Sequence, residues 1–322
     1  MIQNVYETLV FYDREDPNAF VGQLAETWDV SSDGKTYTFN IRPGIKFHEG
    51  GDLTPSDIAY SLQRGLLQGG TASPQWLYYE ALFGTGTDDI SLLVDPEGNL
   101  YDDREALSAA DPATLVAACE QVKAAVVADD AAGTVTINMS QPWAPMLATL
   151  AQTWGSAMDQ DWVVANGGWD ASCDTWQNFY AMTSEEDPFT KIMNGTGPFK
   201  LDHMTEGEEI VLARFDGYWR TAAMGPAWEG GPTGPSALAR VVIKMVDEWG
   251  TRFAMLKAGD ADNATVPPEN RPQVDPSVDE TCKFDPTTSG FTCEGSGSGF
   301  TMYRDFPQVT RTDIFLNFNI AK

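Results

Sequence analysis

Two neighbouring sequence patterns constrain the fold of this chain more than any other feature. In KTYTFNIR the apolar residues Tyr37, Phe39 and Ile41 alternate with polar ones, which predicts a half-buried β-strand after the turn SSDG. The stretch LTPSDIAYSLQRGL follows, with Thr54 placed to cap a helix and Pro55 at its first position. A strand and a helix this close together favour a mixed fold over an all-β sandwich.

The same periodicities recur along the chain. Further strands are predicted in TVTINMS, EEIVLARF, ARVVIKMV and DIFLNFNI, and further helices over residues 111–128 and in PWAPMLATLAQ and GTRFAMLKAG. Residues 84–104 and 268–302 are rich in polar and turn-forming residues and are interpreted as loop insertions. The pattern as a whole predicts an α/β or α+β protein.

The glycine-rich stretch NGTGPFK does not have the pattern of a phosphate-binding loop. It lacks the full P-loop signature, and strand periodicity follows it where a helix would be needed. It is therefore interpreted as a turn, with Gly195 and Gly197 adopting unusual φ values and Pro198 starting a strand.

Charge and hydropathy exclude several classes of partner. The net charge is −27 with a pI near 4.1, which argues against a nucleic-acid partner or an anionic lipid surface. The sequence has no apolar run of 18 residues, and MIQNVYETLV lacks the pattern of a signal peptide. The protein is then cytoplasmic, or a signal has been removed or is not included in this sequence.

The four cysteines form no C-x-x-C pair, which gives no support to a zinc or thioredoxin-like site. Cys282 and Cys293 flank a turn-rich segment, and we predict a disulfide between them, which would indicate an oxidising compartment. The alternative is two buried thiols. The pairing of Cys119 and Cys173 is left open.

The sequence offers little support for catalysis. His48 and His203 lie far apart without partners at metal-ligand spacing, and Ser156 is not in a nucleophile elbow. We predict no catalytic residue, no metal site and no cofactor. Tryptophans are dense, and they either line a ligand cleft or fill the core.

The ordered set of segments resembles the family 5 extracellular solute-binding proteins of bacterial ABC importers, the oligopeptide-, dipeptide- and nickel-binding type. The matching pieces include VYETLV, residues 24–64, TVTINMSQPWAPMLATLA, NGTGPFKL with FDGYW, and ALARVVIKMVDEWGTRFAMLKAGDAD. Residues 24–64 are the most specific of these.

The resemblance implies a receptor of two lobes that closes on a ligand, of which this chain resembles the first lobe. The implied fold is a periplasmic-binding-protein-like α/β lobe. Residues 1–12 and 166–320 would form its larger mixed-sheet subdomain, and residues 13–165 the smaller α+β subdomain. Without the second lobe, the 322 residues are expected to bind ligand weakly.

The resemblance also implies a function, a location and partners. The expected function is capture of a small solute for import, with a peptide or other small molecule as ligand and an ABC transporter permease as partner. The expected location is periplasmic or extracellular, with membrane association through a lipid anchor or the transporter. We expect a monomer that is not an enzyme.

Five residues are the candidate ligand contacts. Peptide-binding relatives often have an aromatic residue directly after a Ser-Pro pair, whereas this chain has Gln75 there and Trp76 next. Tyr79 lies nearby in the same segment, Trp154 follows the helix of the smaller subdomain, and Thr265 lies in a loop that faces the cleft in relatives.

Two rival hypotheses come from other functional classes. One is a secreted hydrolase that uses scattered carboxylates. The other is a sensory or structural domain that reuses the fold without transport. Turnover of a chromogenic substrate would favour the first, and a fused kinase or DNA-binding segment would favour the second.

Overall fold

The computed structural model describes residues 2–13, 18–71, 73, 75–227, 231, 233–285, 290–296 and 299–305. The chain divides into two compact units, Met1–Met245 and Val246–Lys322. Both contain helices and antiparallel strands, so the predicted mixed α/β class is confirmed.

The first unit contains eight α-helices and nine strands among the residues that the structure describes. The helices are α1 (Ile2–Val5), α2 (Pro55–Gln68), α3 (Trp76–Phe83), α4 (Ser91–Val94), α5 (Arg104–Ser108), α6 (Pro112–Ala125), α7 (Met146–Leu150) and α8 (Gln160–Ala165). The strands are β1 (Val10–Tyr12), β2 (Phe20–Gly22), β3 (Ala25–Val30), β4 (Thr36–Ile41), β5 (Val126–Asp129), β6 (Thr134–Asn138), β7 (Phe199–Thr205), β8 (Glu209–Arg214) and β9 (Arg240–Lys244).

A four-stranded antiparallel sheet has the order β3-β4-β6-β5, and β4 and β6 are the strands that the alternating pattern predicts. In β4 the buried positions are Tyr37, Phe39 and Ile41, so this prediction is confirmed. The helix predicted over 111–128 is too long, because Val126–Asp129 forms β5 and pairs with β6. The β-branched Val126 and Val127 favour a strand there, and a short turn lets the chain return at once along β6.

The helix α2 begins as its sequence predicts. The Thr54 side chain accepts a hydrogen bond from the Asp57 backbone, and the Asp57 carboxylate accepts one from the Thr54 backbone, which completes a capping box. Ile58, Leu62 and Leu66 are buried. The cap therefore sets the start of the helix, while its apolar stripe fixes it on the sheet.

The main core of the first unit contains several large aromatic side chains. Trp169 and Trp176 are fully buried, and the Trp169 ring stacks on Tyr60. These residues lie in the same hydrophobic cluster as the four-stranded sheet, so part of the segment after residue 166 packs with residues 13–165. The proposed subdomain boundary at 165/166 falls inside the first unit and stays a prediction.

A second, three-stranded antiparallel sheet has the order β7-β8-β9 and carries its own small cluster with α1. The turn before β7 is present, but the reason predicted for its glycines is wrong, since neither Gly195 nor Gly197 has a positive φ. A Cβ on Gly195 would lie 2.0 Å from the Val5 carbonyl oxygen, and one on Gly197 would lie 2.5 Å from the Asn4 carbonyl oxygen. The glycines are required because two backbone segments touch.

The second unit contains α9 (Trp249–Ala258), α10 (Arg271–Val274) and the strands β10 (Val278–Asp285), β11 (Gly290–Gly295) and β12 (Phe300–Arg304). The strands form a sheet in the order β11-β10-β12. The interpretation of residues 268–302 as a loop is therefore wrong. The strand predicted in DIFLNFNI lies outside the described residues.

All four cysteines are bonded in the structure. Cys282 and Cys293 are directly opposite each other on β10 and β11, as the sequence interpretation expected. Cys119 of α6 is bonded to Cys173, a pairing that the sequence left open. Among the described residues, no helix is long and apolar enough to span a membrane.

Candidate ligand-binding site

The candidate residues Gln75, Trp76 and Tyr79 lie at the start of α3, and the structure gives them different environments. The Gln75 side chain is buried, and its amide Nε2 donates to the Trp154 carbonyl oxygen at 3.1 Å. Its Oε1 lies 3.3 Å from the Ser73 hydroxyl. In this arrangement Gln75 joins the start of α3 to the segment after α7, and contact with a ligand stays a prediction.

Tyr79 is part of the core. Its side chain is 1% exposed, and its hydroxyl donates a hydrogen bond to the Leu66 carbonyl oxygen in α2. Burial, reinforced by the negative charge of Asp89, holds the pKa of the Tyr79 hydroxyl well above its usual value. Such a group stays protonated and keeps donating to the backbone, which favours a packing role.

The indole N–H of Trp154 is buried and has no hydrogen-bond partner among the residues that the structure describes. The indole is partly buried, and neither its N–H nor the neighbouring Tyr78 hydroxyl has a partner with hydrogen-bond geometry. Burial raises the pKa of Tyr78, and the nearby Trp154 side chain opposes that rise. The Trp154 backbone is bonded to the Gln75 side chain, and contact of its indole with a ligand stays a prediction.

Trp76 differs from the other three residues because its side chain is 57% exposed. It is the first residue of α3, directly after the buried Gln75. An indole held by a rigid helix and open to solvent offers a large flat contact surface at little entropic cost. Of these four candidates, Trp76 is the one whose side chain is most open to solvent, and its contact with a ligand stays a prediction.

Thr265 is also exposed, but it belongs to the second unit. Its proposed contact with ligand stays a prediction. Among the described residues, the grouping of possible metal ligands is Glu280 with Cys282 and Cys293, and the two sulfurs are bonded to each other.

Sequence reasoning missed a buried polar network around the glycine-containing turn. Glu7 is 2% exposed and accepts hydrogen bonds from Trp219 Nε1 at 2.6 Å, Thr196 Oγ1 at 2.8 Å and the Tyr218 hydroxyl at 2.9 Å. Burial raises the pKa of the Glu7 carboxyl, and these donors oppose the rise. A lone acidic residue in an apolar segment, VYETLV, was the available signal. The network holds the N-terminal segment to the turn.

His48 holds the other side of the same turn. Its Nδ1 accepts from the Gly195 backbone N–H at 3.3 Å, so its Nε2 carries the proton and donates to the Gly197 carbonyl oxygen at 2.9 Å. Burial lowers the pKa of His48 and the charge of Lys200 adds to this, while the Gly197 bond and Glu49 oppose it. The neutral ring is the form that fits both bonds.

We therefore expect stability to fall as the pH drops below about 6.5, the ordinary pKa of the unfolded histidine. Below about 6.5 the unfolded histidine takes up a proton while the folded one, whose pKa is lower, does not. The loss of stability therefore begins near the unfolded pKa and is complete below the folded pKa. Thermal melts of wild type and His48→Gln between pH 7.5 and 5 check this, and the variant should show a shallower acid slope. His203→Gln is the control, because its neighbours Asp202 and Glu209 raise the pKa of that exposed ring and the sign reverses. Parallel slopes in wild type and His48→Gln would contradict the assignment.

Residues 19–294 match the model of the bacterial extracellular solute-binding proteins, family 5. The chain is 29% identical over 204 residues to a dipeptide-binding protein of Escherichia coli strain K12, covering 62% of this chain and 30% of the relative. It is 25% identical over 271 residues to heme-binding protein A of Haemophilus influenzae, covering 82% of this chain and 39% of that protein.

Solved structures show the same fold. OppA of Listeria monocytogenes bound to peptide superposes with a TM-score of 0.57 at 18% identity, covering 87% of this chain and 44% of that one. The chain thus spans less than half the length of these relatives. Because the family model covers most of its residues, the chain belongs to the bacterial extracellular solute-binding proteins, family 5.

Proposed function

We propose that the protein is the solute-binding component of an ABC importer. It captures a small solute outside the cytoplasmic membrane and passes it to the membrane permease of the transporter. The family match over residues 19–294 carries this proposal. The superposition on a peptide-bound relative supports the fold that the function requires.

The ligand is a peptide or another small molecule. The names of the relatives cover dipeptides and heme, so membership of the family leaves the solute class open. The exposed indole of Trp76 is the proposed contact surface within this chain. Gln75, Tyr79 and Trp154 would then act by fixing the start of α3, while Thr265 is a separate proposed contact.

The proposed location is periplasmic or extracellular. Two disulfides, Cys119–Cys173 and Cys282–Cys293, support an oxidising compartment. Membrane association would come from a lipid anchor or from the transporter itself. We propose a monomeric protein without a nucleic-acid partner, since its charge of −27 repels polyanions.

The proposal assigns no catalytic step to the protein. Turnover of chromogenic ester, peptide or glycoside substrates would instead support the rival hydrolase hypothesis.

Alanine substitutions at the two tryptophans test the proposed contact. We expect Trp76→Ala to weaken ligand binding about tenfold, because an exposed aromatic surface is removed, and to leave the melting temperature nearly unchanged. Trp154→Ala should lower the melting temperature instead, since its indole is partly buried. Calorimetry with a solute that native mass spectrometry identifies in the protein as its gene encodes it measures the affinity, and thermal melts measure the stability. Full affinity in Trp76→Ala would remove that residue from the site.

A further inference from the structure

We infer that the captured solute is a cation, whose ammonium or guanidinium group stacks on Trp76 while Glu80 supplies the opposite charge. The inference rests on the proposed function and names its substrate class. Three features of the described residues support it, namely a free aromatic face, a carboxylate one turn away, and segments without any basic side chain.

The first feature is the unoccupied indole face. Elsewhere in the described residues, lysine or arginine side chains lie over aromatic rings, as Arg220 does over Trp219 at 4.5 Å and Arg64 over Phe189 at 4.8 Å. No such cation lies over Trp76 in the part of the chain that the structure describes, although its ring is 57% exposed. A cation from solution can therefore reach the face of a tryptophan, the side chain that binds cations best through its ring.

The second feature is Glu80, which follows Trp76 by four residues on α3. This spacing puts the two side chains on the same face of the helix, one turn apart. Glu80 is exposed, and its Oε1 accepts a hydrogen bond from the Gly86 backbone at 2.9 Å. That bond draws the carboxylate towards the C-terminal end of α3. The helical spacing still keeps its charge about one turn from Trp76, from where it can attract a cation on the indole.

The third feature is the distribution of charge along the segments that carry the site. Every charged side chain between Arg64 and Arg104 is a carboxylate, and so is every one between Lys123 and Lys191. These two segments contain Trp76 and Trp154, so neither offers a basic group to pair with a ligand anion. The net charge of −27 also raises the local concentration of cations and speeds their encounter with the surface.

A competition experiment tests the charge class. The protein as its gene encodes it is dialysed against equal concentrations of trilysine amide and the N-acetylated amides of trialanine and triglutamate, which have no ammonium group. It is dialysed separately against choline and its neutral isostere 3,3-dimethyl-1-butanol. Bound species are then counted by native mass spectrometry. We expect the cationic member of each set to be retained roughly tenfold over the neutral one, with triglutamate excluded. Equal or better retention of a neutral or anionic member overturns the inference while leaving solute capture intact. Retention of none of these probes also overturns the inference, and solute capture is then decided separately by the solute that the protein carries from its own host.

Matched variants locate the cation. Trp76→Leu keeps an apolar side chain but removes the ring, and should weaken binding of the retained cation roughly five- to thirtyfold. Glu80→Gln keeps the acceptor for Gly86 and should weaken binding about threefold at low salt, with the difference fading at high salt. Glu97→Gln makes the same charge change at another exposed position and should bind like wild type. Wild-type affinity in Trp76→Leu, or equal losses in the two acid variants, would overturn the assignment.

Discussion

Replacing Gly195 with alanine is expected to lower the free energy of unfolding by about 3–5 kcal/mol, combining an overpacking cost with a broken backbone contact. The new Cβ would lie 2.0 Å from the Val5 carbonyl oxygen, closer than any real contact. That oxygen also accepts the Gly197 N–H at 2.9 Å. Backbone on both sides of the clash cannot move aside as a side chain would, so the N-terminal segment should detach from the turn. Chemical denaturation of the two proteins measures the loss.

The control variant Gly207→Ala separates two costs of replacing a glycine, namely the clash of the new Cβ with nearby backbone and the strain of a positive φ. Gly207 has a φ of +72° and nothing within 4 Å of its Cβ position. Gly207→Ala should therefore cost only about 1–2 kcal/mol, the price of a left-handed residue. A Gly195→Ala protein as stable as wild type would show that the two segments do not pack as described.

Removing the Cys119–Cys173 disulfide is expected to cause the second large loss of stability. The double variant Cys119→Ala/Cys173→Ala should lose about 4 kcal/mol, because a bond that spans 54 residues restricts the unfolded chain strongly. The bond joins α6 to a segment in the same core, so its loss also frees that segment. Denaturation of the oxidised protein and of the variant gives the difference.

The Cys282–Cys293 bridge provides the comparison. It spans only 11 residues, so Cys282→Ala/Cys293→Ala should lose about 3 kcal/mol, less than the first pair. Thiol titration of the unfolded, unreduced wild type should detect no free thiol. Four reactive thiols would refute both bridges and remove one argument for an oxidising compartment.

The sequence correctly predicted the helices and strands that depend only on residues within the element itself. The alternation in β4 and the capping box of α2 depend on residues within one element, and both elements form where the sequence placed them. The start of α6 follows its Asp111 cap in the same way, but its end does not. Where α6 stops is decided by β6, which lies beyond the turn and pairs with Val126–Asp129.

Features that depend on contacts between residues far apart in the sequence could not be predicted from local patterns. Residues 268–302 lack clear periodicity, yet β10 pairs with both β11 and β12, and this pairing overrides weak local preference. Gly195 is required by Val5, almost 200 residues earlier in the chain. No local pattern reports such a contact.

The position of the ligand site stays a prediction. The sequence placed three candidate contacts in one segment, Gln75, Trp76 and Tyr79, but local spacing does not show which of these side chains faces solvent. Packing against α2 and the segment after α7 buries Gln75 and Tyr79 and leaves Trp76 exposed. Helical spacing alone could have suggested Glu80 once Trp76 was known to be free.

Native mass spectrometry of the protein as its gene encodes it, purified under gentle conditions from its own host, tests the central claim most directly. We expect one small molecule bound at a ratio of one to one, and a smaller bound fraction in Trp76→Ala, whose affinity should be about tenfold lower. A protein that carries no solute and retains none from a host extract, while remaining folded, would contradict a role in solute capture.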